Sequence, residues 1–385
     1  MKKTINIAGV LVFLFLFGCA MGPDFKPPVV ETPKNYRFDK VPVETMINLK
    51  WWELFDDPVL YTLVSQALSN NKNLKIAAAR VEQARAYLGF TQADQYPGFY
   101  IQAGAGTGNF AGGARSETRN SNYYAGPTLS WELDFWGKFR RATESARAQL
   151  MASEYGLRTV QIGLISVVVG SYYLLLDYHQ RVKISKDTLE SRKESLNIIQ
   201  KRFDRGIIPE LDVNQAQIQK EIAAAAIPEY ERSVAQTENA LSILLGKLPE
   251  PIKTGKGLNL ETAPPTVPMG LPSTLLERRP DIVQALYLLE SQTANIGVAE
   301  AMRFPAISLT GMLGLASSEL SGLLSQGGAW AVNGGLFGPI FEFYKNVRRV
   351  EIEESKTREV LYFYENTVLT AFREVEDSLV EIDTY

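Results

Sequence analysis

The most constraining feature of the chain is an uninterrupted helical pattern from residue 135 to residue 203. The segment contains no proline, and its apolar residues recur at alternating steps of three and four. Such a heptad seam is typical of a long helix that packs against partner helices. At 1.5 Å of rise per residue, roughly 70 residues span on the order of 100 Å. A helix of this length does not fit within a compact enzyme, so the pattern favours an extended helical architecture.

The long helix is predicted to turn back on itself. Gly206 suits the left-handed residue that ends a helix, and Pro209 suits the first position of the next one. Heptads continue in the returning segment, so we expect a long helix pair over residues 135–247. The Pro- and Gly-rich stretch 248–272 is predicted to be a linker.

Two pairs of segments change to a period of two, which predicts β-hairpins at 99–133 and 306–343. The polar stretch from Thr107 to Asn122 lacks periodicity and is predicted to be the loop of the first hairpin. Two interpretations remain open: a soluble hairpin with one buried face, or a membrane hairpin whose apolar face meets lipid. In the second, the lipid-facing residues are Phe99, Ile101, Leu129, Leu309 and Leu313.

An internal duplication relates the two hairpins and their flanking helices. Tyr96-Pro97 and Phe304-Pro305 lie 208 residues apart, as do Asp134-Phe135-Trp136 and Glu342-Phe343-Tyr344. Matches at one fixed spacing predict an ungapped repeat. The first repeat then covers residues 51–247, and the second covers 273–385.

The N-terminus reads as a lipoprotein signal peptide over residues 1–18. Lys2 and Lys3 precede a short apolar run, and Leu16 and Gly18 stand before Cys19, the single cysteine of the chain. We expect a covalent lipid on Cys19 and no other cofactor; the alternative is an ordinary signal with a chance cysteine. The Pro-rich residues 19–50 are predicted to be an extended, lipidated tether.

Composition excludes several classes of function. One His and one Cys leave no Cys/His metal site and no Cys-His catalytic pair within a chain. A net charge of −3 gives no reason to expect a nucleic-acid partner. The carboxylates lie along predicted helix surfaces, so we do not expect an enzyme.

Four membrane strands per chain cannot close a barrel, and an open sheet edge in lipid leaves backbone groups without partners. Three chains would supply twelve strands, within the observed range for membrane barrels. The predicted fold class is therefore mainly α with a membrane β-barrel part. It is a duplicated helix–β-hairpin–long-helix repeat, with a trimeric 12-stranded β-barrel continued by an α-helical barrel.

Several motifs resemble the TolC-like outer-membrane factors, and among them the efflux lipoprotein branch (OprM- or NodT-like). They are Trp51-Trp52-x-x-Phe55-x-Asp57-Pro58, Trp131-Glu132-Leu133-Asp134, Arg278-Arg279-Pro280-Asp281-Ile282 and Ala294-Asn295-Ile296-Gly297-Val298-Ala299. The resemblance implies a homotrimer in the outer membrane that extends into the periplasm. It also implies a passive conduit that exports drugs or other small molecules. The implied partners are a periplasmic adaptor and an inner-membrane transporter of the RND or ABC type.

The resemblance also implies an adaptor-docking surface at the helix turn. Its matching residues are Arg202, Phe203, Gly206, Ile207 and Pro209. The alternative for Gly206 and Pro209 individually is a plain capped turn.

Two further expectations concern function and the end of the sequence. The alternatives to efflux are a channel for type I protein secretion and a periplasmic coiled-coil interaction lipoprotein without a pore. The equivalent of Tyr385 in the first repeat is Asp177. Residues matching 178–247 are therefore absent from the second repeat, so the resemblance assigns no periplasmic gate. From this we expect a weakly stable trimer with an ungated or incomplete tube.

Overall fold

The computed structural model describes residues 20–30, 33, 57–111, 114–255, 257–258, 276–325 and 328–384. Cys19, the predicted signal peptide and most of the predicted tether lie outside these residues. In chain order the elements are α1 (Pro58–Asn70), α2 (Lys72–Ala93), β1 (Gly98–Ala111), β2 (Ala114–Leu133), α3 (Lys138–Asp204), α4 (Glu210–Leu244), α5 (Pro280–Ala301), β3 (Ala306–Ser317), β4 (Gly328–Phe337) and α6 (Lys345–Thr384).

The chain divides into two compact units. The sheet unit comprises Met1–Pro33, Val81–Tyr155 and Leu275–Tyr385, and the helix unit comprises Lys34–Arg80 and Gly156–Thr274. The helices α2 and α3 each run through both units. This mainly helical architecture with one small sheet confirms the predicted fold class.

The helix unit is built around the middle of α3. Val168, Tyr172 and Leu175 recur at steps of four and three, which places them on one helix face, and all three are fully buried. They belong to a core that includes Leu60 of α1 and Leu241 of α4. The core-facing side of α3 therefore carries apolar residues at the spacing of a packed helix.

Asp57 is the N-cap of α1, and Pro58 follows at the first helical position, a pair of residues typical of a helix start. Its carboxylate accepts hydrogen bonds from the backbone N–H groups of Val59 (2.8 Å) and Leu60 (3.4 Å). The carboxylate also accepts from the Tyr172 hydroxyl at 2.5 Å, and that hydroxyl accepts from the Gly255 N–H at 3.0 Å. Burial and the hydrogen bond to Asp57 raise the pKa of Tyr172 to about 12.

The turn between α3 and α4 is a Schellman motif. Gly206 has a φ of +71°, a conformation that glycine adopts at little cost. Its N–H donates to the Phe203 carbonyl (2.7 Å), and the Ile207 N–H donates to the Arg202 carbonyl (3.0 Å). The predicted position of Pro209 is wrong by one residue: its backbone is extended (φ −75°, ψ 158°), so it is the N-cap of α4 and not the first helical residue.

The sheet unit contains one four-stranded antiparallel sheet in the order β1-β2-β3-β4. The predicted loop at Thr107–Asn122 is wrong, because β1 continues to Ala111 and β2 begins at Ala114. Ladder bonds join backbone groups, so the pair extends through polar residues that show no hydrophobic period. The predicted strand 329–343 is too long: β4 ends at Phe337, and Pro339 has no N–H to donate to a ladder.

The repeat is not ungapped, because β4 is displaced by one residue. Gly98 pairs with Ser130, whereas its equivalent Ala306 pairs with Phe337 and not with Gly338, as a constant offset of 208 would require. A slip of one residue moves every side chain of a strand to the opposite face. The displaced register keeps the large apolar residues of β4 on the apolar face of the sheet. These residues are Trp330, Val332 and Leu336.

The second core lies between α5 and α6 in the sheet unit. Ile282 and Ala285 of α5 are buried against Tyr364 and Val368 of α6. Val30 of the N-terminal segment packs against the same cluster. Residues that the sequence assigns to a tether are therefore held on the folded body.

Candidate functional site

One face of the sheet is apolar and exposed. Directly paired residues of neighbouring strands share a face, and the registers put all five predicted lipid-facing residues on this one. Phe99 is 74% exposed, Ile101 is 89% exposed and Leu313 is 65% exposed, while Leu129 and Leu309 are half-buried. The same face carries Tyr123, Ala125, Trp131, Leu133, Ile307, Leu315, Trp330, Val332 and Leu336.

The opposite face carries mainly small and polar residues, together with Met312 and Phe337. The Tyr124 ring lies over Gly104, where an added Cβ would come within 2.5 Å of the ring. The Gln102 amide donates to the Tyr124 hydroxyl at 3.4 Å. Other residues of this face are Tyr100, Gly126, Thr128, Ser130, Ser308, Thr310 and Asn333.

A soluble hairpin would bury its apolar face, whereas an apolar face that is largely exposed is typical of the wall of a membrane β-barrel. The strand lengths are sufficient, since about 9–11 tilted residues cross a bilayer. Within the chain, β1 and β4 form the two edges of the sheet. Open edges are not tolerated in lipid, so a sheet of this kind in a membrane needs further strands at both edges.

Tryptophans fix the end of the sheet that joins the helices. The Trp136 indole N–H donates to the Pro305 carbonyl (2.8 Å), and its ring stacks on Phe304 with centroids 4.5 Å apart. The Trp131 indole N–H donates to the Gln95 carbonyl (3.0 Å). Sequence reasoning identifies Phe304-Pro305 only as a repeat marker, since its partner lies 169 residues away in the chain.

Arg141 near the start of α3 binds the N-terminal segment, a contact that the sequence does not predict. The side chain is 6% exposed. It donates to the carbonyls of Met21 (2.9 Å) and Gly22 (3.2 Å) and to the carboxylates of Asp24 (2.8 Å) and Glu144 (2.8 Å). These two carboxylates outweigh the desolvation of the buried group and raise the pKa of Arg141.

The five residues of the predicted docking tip all lie in the Schellman turn and at its exit. Ile207 is 65% exposed and Phe203 is 36% exposed. Beside the turn, α3 and α4 border an open groove of about 530 Å³. Its lining includes Arg192, Ser195, Ile199, Arg202, Ile208 and Asp212. An exposed apolar tip beside a groove with charged walls is a surface suited to another protein.

The sequence model of the family described as "outer membrane efflux protein" matches residues 63–247 and 271–385. The chain is 33% identical over 388 residues to the "probable outer membrane lipoprotein SilC" of Salmonella typhimurium, covering 99% of this chain and 83% of that protein. It is 33% identical over 377 residues to the "cation efflux system protein CusC" of Escherichia coli K12 (96% and 81% covered). It is 35% identical over 392 residues to the "solvent efflux pump outer membrane protein SrpC" of Pseudomonas putida (98% and 82% covered).

Solved structures show the same likeness. The outer-membrane channel OprN matches with a TM-score of 0.85 and 31% identity, covering 94% of this chain and 83% of that one. The CmeC outer membrane channel of Campylobacter jejuni matches with a TM-score of 0.83 and 28% identity, covering 94% and 79%. The two-faced sheet, the 67-residue helix α3 and these likenesses lead to one conclusion: the chain belongs to the outer membrane efflux protein family, whose members are the outer-membrane channel components of efflux pumps.

Proposed function

We propose that three copies of the chain share one 12-stranded β-barrel and form a passive conduit across the outer membrane. The main observation in support is the four-stranded sheet, which is apolar on one face and mainly polar on the other. Its two edge strands are β1 and β4. Pairing β4 of one copy with β1 of the next removes every open edge. The polar face then lines the lumen, and the long helices continue it as a tube.

The cargo in this proposal is a drug or another small molecule. A passive channel needs no catalytic residues, because the energy comes from an inner-membrane transporter of the RND or ABC type, joined to the channel by a periplasmic adaptor. SilC, CusC and SrpC are relatives whose names refer to a lipoprotein, to cation efflux and to solvent efflux. In the described part of the chain, no group of three His, Cys, Asp or Glu residues could hold a metal ion.

The adaptor contact in this proposal is the helix turn with Arg202, Phe203, Gly206, Ile207 and Pro209. Support comes from the exposure of Ile207 and Phe203 and from the rigid Schellman geometry that presents them. A preorganised turn loses little conformational freedom on binding.

The lipid anchor in this proposal is a diacylated and palmitoylated Cys19. Two observations support it: Leu16-Phe17-Gly18 directly precedes the cysteine, and SilC, a relative that covers almost the whole chain, is described as a lipoprotein. A single acyl chain binds membranes only weakly, so several chains on one cysteine give stable anchoring.

The test measures two properties: the conductance of the purified protein in lipid bilayers, and the susceptibility to toxic compounds of cells that express it. Full-length chain extracted from outer membranes should give stepwise conductance in planar lipid bilayers. Co-expressed with its adaptor and transporter, it should raise resistance of an efflux-deficient strain to some member of a panel of antibiotics, solvents and copper or silver salts. Trimers that insert into bilayers without conducting would contradict the conduit, and the panel member affected would identify the cargo class.

A further inference from the structure

The N-terminal segment follows a defined path on the sheet unit. The Met21 N–H donates to the Trp136 carbonyl at 3.1 Å, which places the segment at the end of the sheet where Trp136 meets Pro305. Nine residues later, Val30 reaches the α5–α6 core. Ala20, the first described residue, directly follows Cys19 in the sequence.

Glycines make room for the segment. At Gly297 of α5, an added Cβ would lie 2.5 Å from the Met21 carbonyl oxygen and 2.8 Å from Arg141 Cγ. At Gly137, which has a φ of +79°, an added Cβ would lie 2.7 Å from Ala20 Cα. Backbone therefore approaches backbone at both positions, and no other residue fits without displacement of the segment.

A comparison of equivalent positions in the two repeats separates the residues that accommodate the segment from those that both repeats share. The second-repeat equivalents of Gly137 and Glu144 are Lys345 and Ile352. Gly137 contacts the segment and Glu144 pairs with Arg141, and neither residue type is kept in the second repeat. The equivalent of Arg141 is Arg349, which donates instead to Asn346 Oδ1 (2.8 Å) and Met302 Sδ (3.4 Å). The equivalent of Gly297 is Gly89, and a Cβ there would meet nothing within 4 Å.

We propose that Arg141, with Glu144 and Gly297, is a clasp that fixes the chain after Cys19 to the body and thereby positions the lipid anchor. The inference rests on the lipid anchor proposed above. A flexible tether would let the acyl chains enter the bilayer anywhere within its reach. The clasp instead delivers them beside the end of the apolar sheet face, so that the anchor and the barrel wall enter the membrane at one level. Arg141 is the positioning residue because it satisfies three acceptors of the segment at once.

The test is limited thermolysin digestion of the full-length, detergent-extracted protein, with the initial rate of cleavage before Phe25 followed by mass spectrometry. Cleavage tracks the population of the open segment when reclosure is fast. Arg141→Gln and Gly297→Ala should each raise this rate by about tenfold. The first removes the hydrogen bonds of Arg141 to the segment, and the added Cβ of the second displaces the segment. Asp24→Asn should raise it less, because its 85% exposed side chain loses only charge.

The matched controls are Arg349→Gln and Gly89→Ala, the same changes at the equivalent positions of the other repeat. Both should be cleaved before Phe25 at the wild-type rate. Equal rates in all five variants and the wild type would overturn the clasp. Asp24→Asn alters only an exposed side chain of the segment, so its result does not depend on the folding of α3. Because Asp24 directly precedes the cleaved bond, its rate is divided by that of a free peptide of residues 20–30 that carries the same change. Incorporation of labelled palmitate is measured on the same samples. A wild-type protein without label would contradict the proposed lipid anchor, whereas the cleavage rates test the clasp independently of the lipid.

Discussion

At the scale of single residues, a few buried polar groups hold distant parts of the chain together. Asp57 caps α1 and also accepts from Tyr172, 115 residues away. Arg141 binds backbone and side-chain acceptors about 120 residues earlier in the chain. Such groups are costly to bury unless every partner is present. Their loss therefore affects both ends of the contact.

We predict that Tyr172→Phe lowers the free energy of unfolding by about 1–2 kcal/mol, because the buried Asp57 carboxylate and the Gly255 N–H lose a partner. The pKa of Tyr172 is about 12 in the folded protein and about 10 in an unfolded chain. The stabilisation is thus fully present below pH 10 and is lost as the pH rises towards 12. Denaturant titrations followed by circular dichroism between pH 8 and 12 would measure it. The exposed Tyr362→Phe should change neither the stability nor its pH dependence.

Cys19 gives the second prediction at this scale. The wild type should incorporate labelled palmitate and fractionate with the outer membrane, and Cys19→Ser should incorporate none, since the chain has no other cysteine. Label retained by the serine variant would show that the lipid is attached elsewhere.

At the scale of secondary-structure elements, the two faces of the sheet make opposite demands on a substitution. In the proposed barrel, a charge on the apolar face must enter hydrocarbon, whereas a charge on the other face meets water. The chain offers neighbouring positions for a direct comparison, because Leu309 and Thr310 of β3 point to opposite faces.

We predict that Leu309→Arg costs about 2–4 kcal/mol near the bilayer midplane and reduces the yield of assembled protein. Thr310→Arg should assemble at close to the wild-type yield. Outer-membrane fractions analysed by unheated gel electrophoresis would compare the two. Normal assembly of both variants would favour the soluble hairpin over the barrel wall.

The turn between α3 and α4 carries the next prediction. Ile207→Glu should abolish cross-linking of the channel to its adaptor in vivo, because it places a charge on the exposed apolar tip. Ile184→Glu is the control, since Ile184 is also an exposed isoleucine of the helix unit and lies on α3, 23 residues before the tip residue. Equal cross-linking of the two variants would place the adaptor contact elsewhere.

At the scale of the whole molecule, the sheet is incomplete within one chain. An assembly that closes the barrel must pair β1 with β4 of another copy, and three copies of four strands give the smallest closed number compatible with a central channel in this proposal. The duplication already supplies one contact of this kind within each copy, because β2 of the first hairpin pairs with β3 of the second.

We predict heat-modifiable migration. Unheated protein in a mild-detergent gel should run as a species of three chains, because these conditions preserve even a weakly stable trimer, and boiled protein in dodecyl sulfate should run as a single chain. Mass photometry in detergent would give the copy number independently. A monomer by both methods would contradict the shared barrel.

Periodicity in the sequence decided the type and order of nearly every element. The seam of α3, the alternation of the strands, the Asp57 cap and the Gly206 turn are local patterns, and each depends on residues a few positions apart. That Phe99, Ile101, Leu129, Leu309 and Leu313 share one face was predictable for the same reason, since alternation alone separates the two faces of a strand.

Only the tertiary structure decided the features that depend on partners far away in the chain. The extent of β1 and β2 through the polar residues 107–122 follows from ladder pairing, which leaves no hydrophobic period in the sequence. The one-residue displacement of β4 follows from its pairing with β3, where placing Trp330, Val332 and Leu336 on the common apolar face outweighs exact repetition. The position of the N-terminal segment on the body depends on Arg141 and Gly297, which lie 117 or more residues beyond Asp24 in the chain. No local sequence pattern can connect groups that far apart.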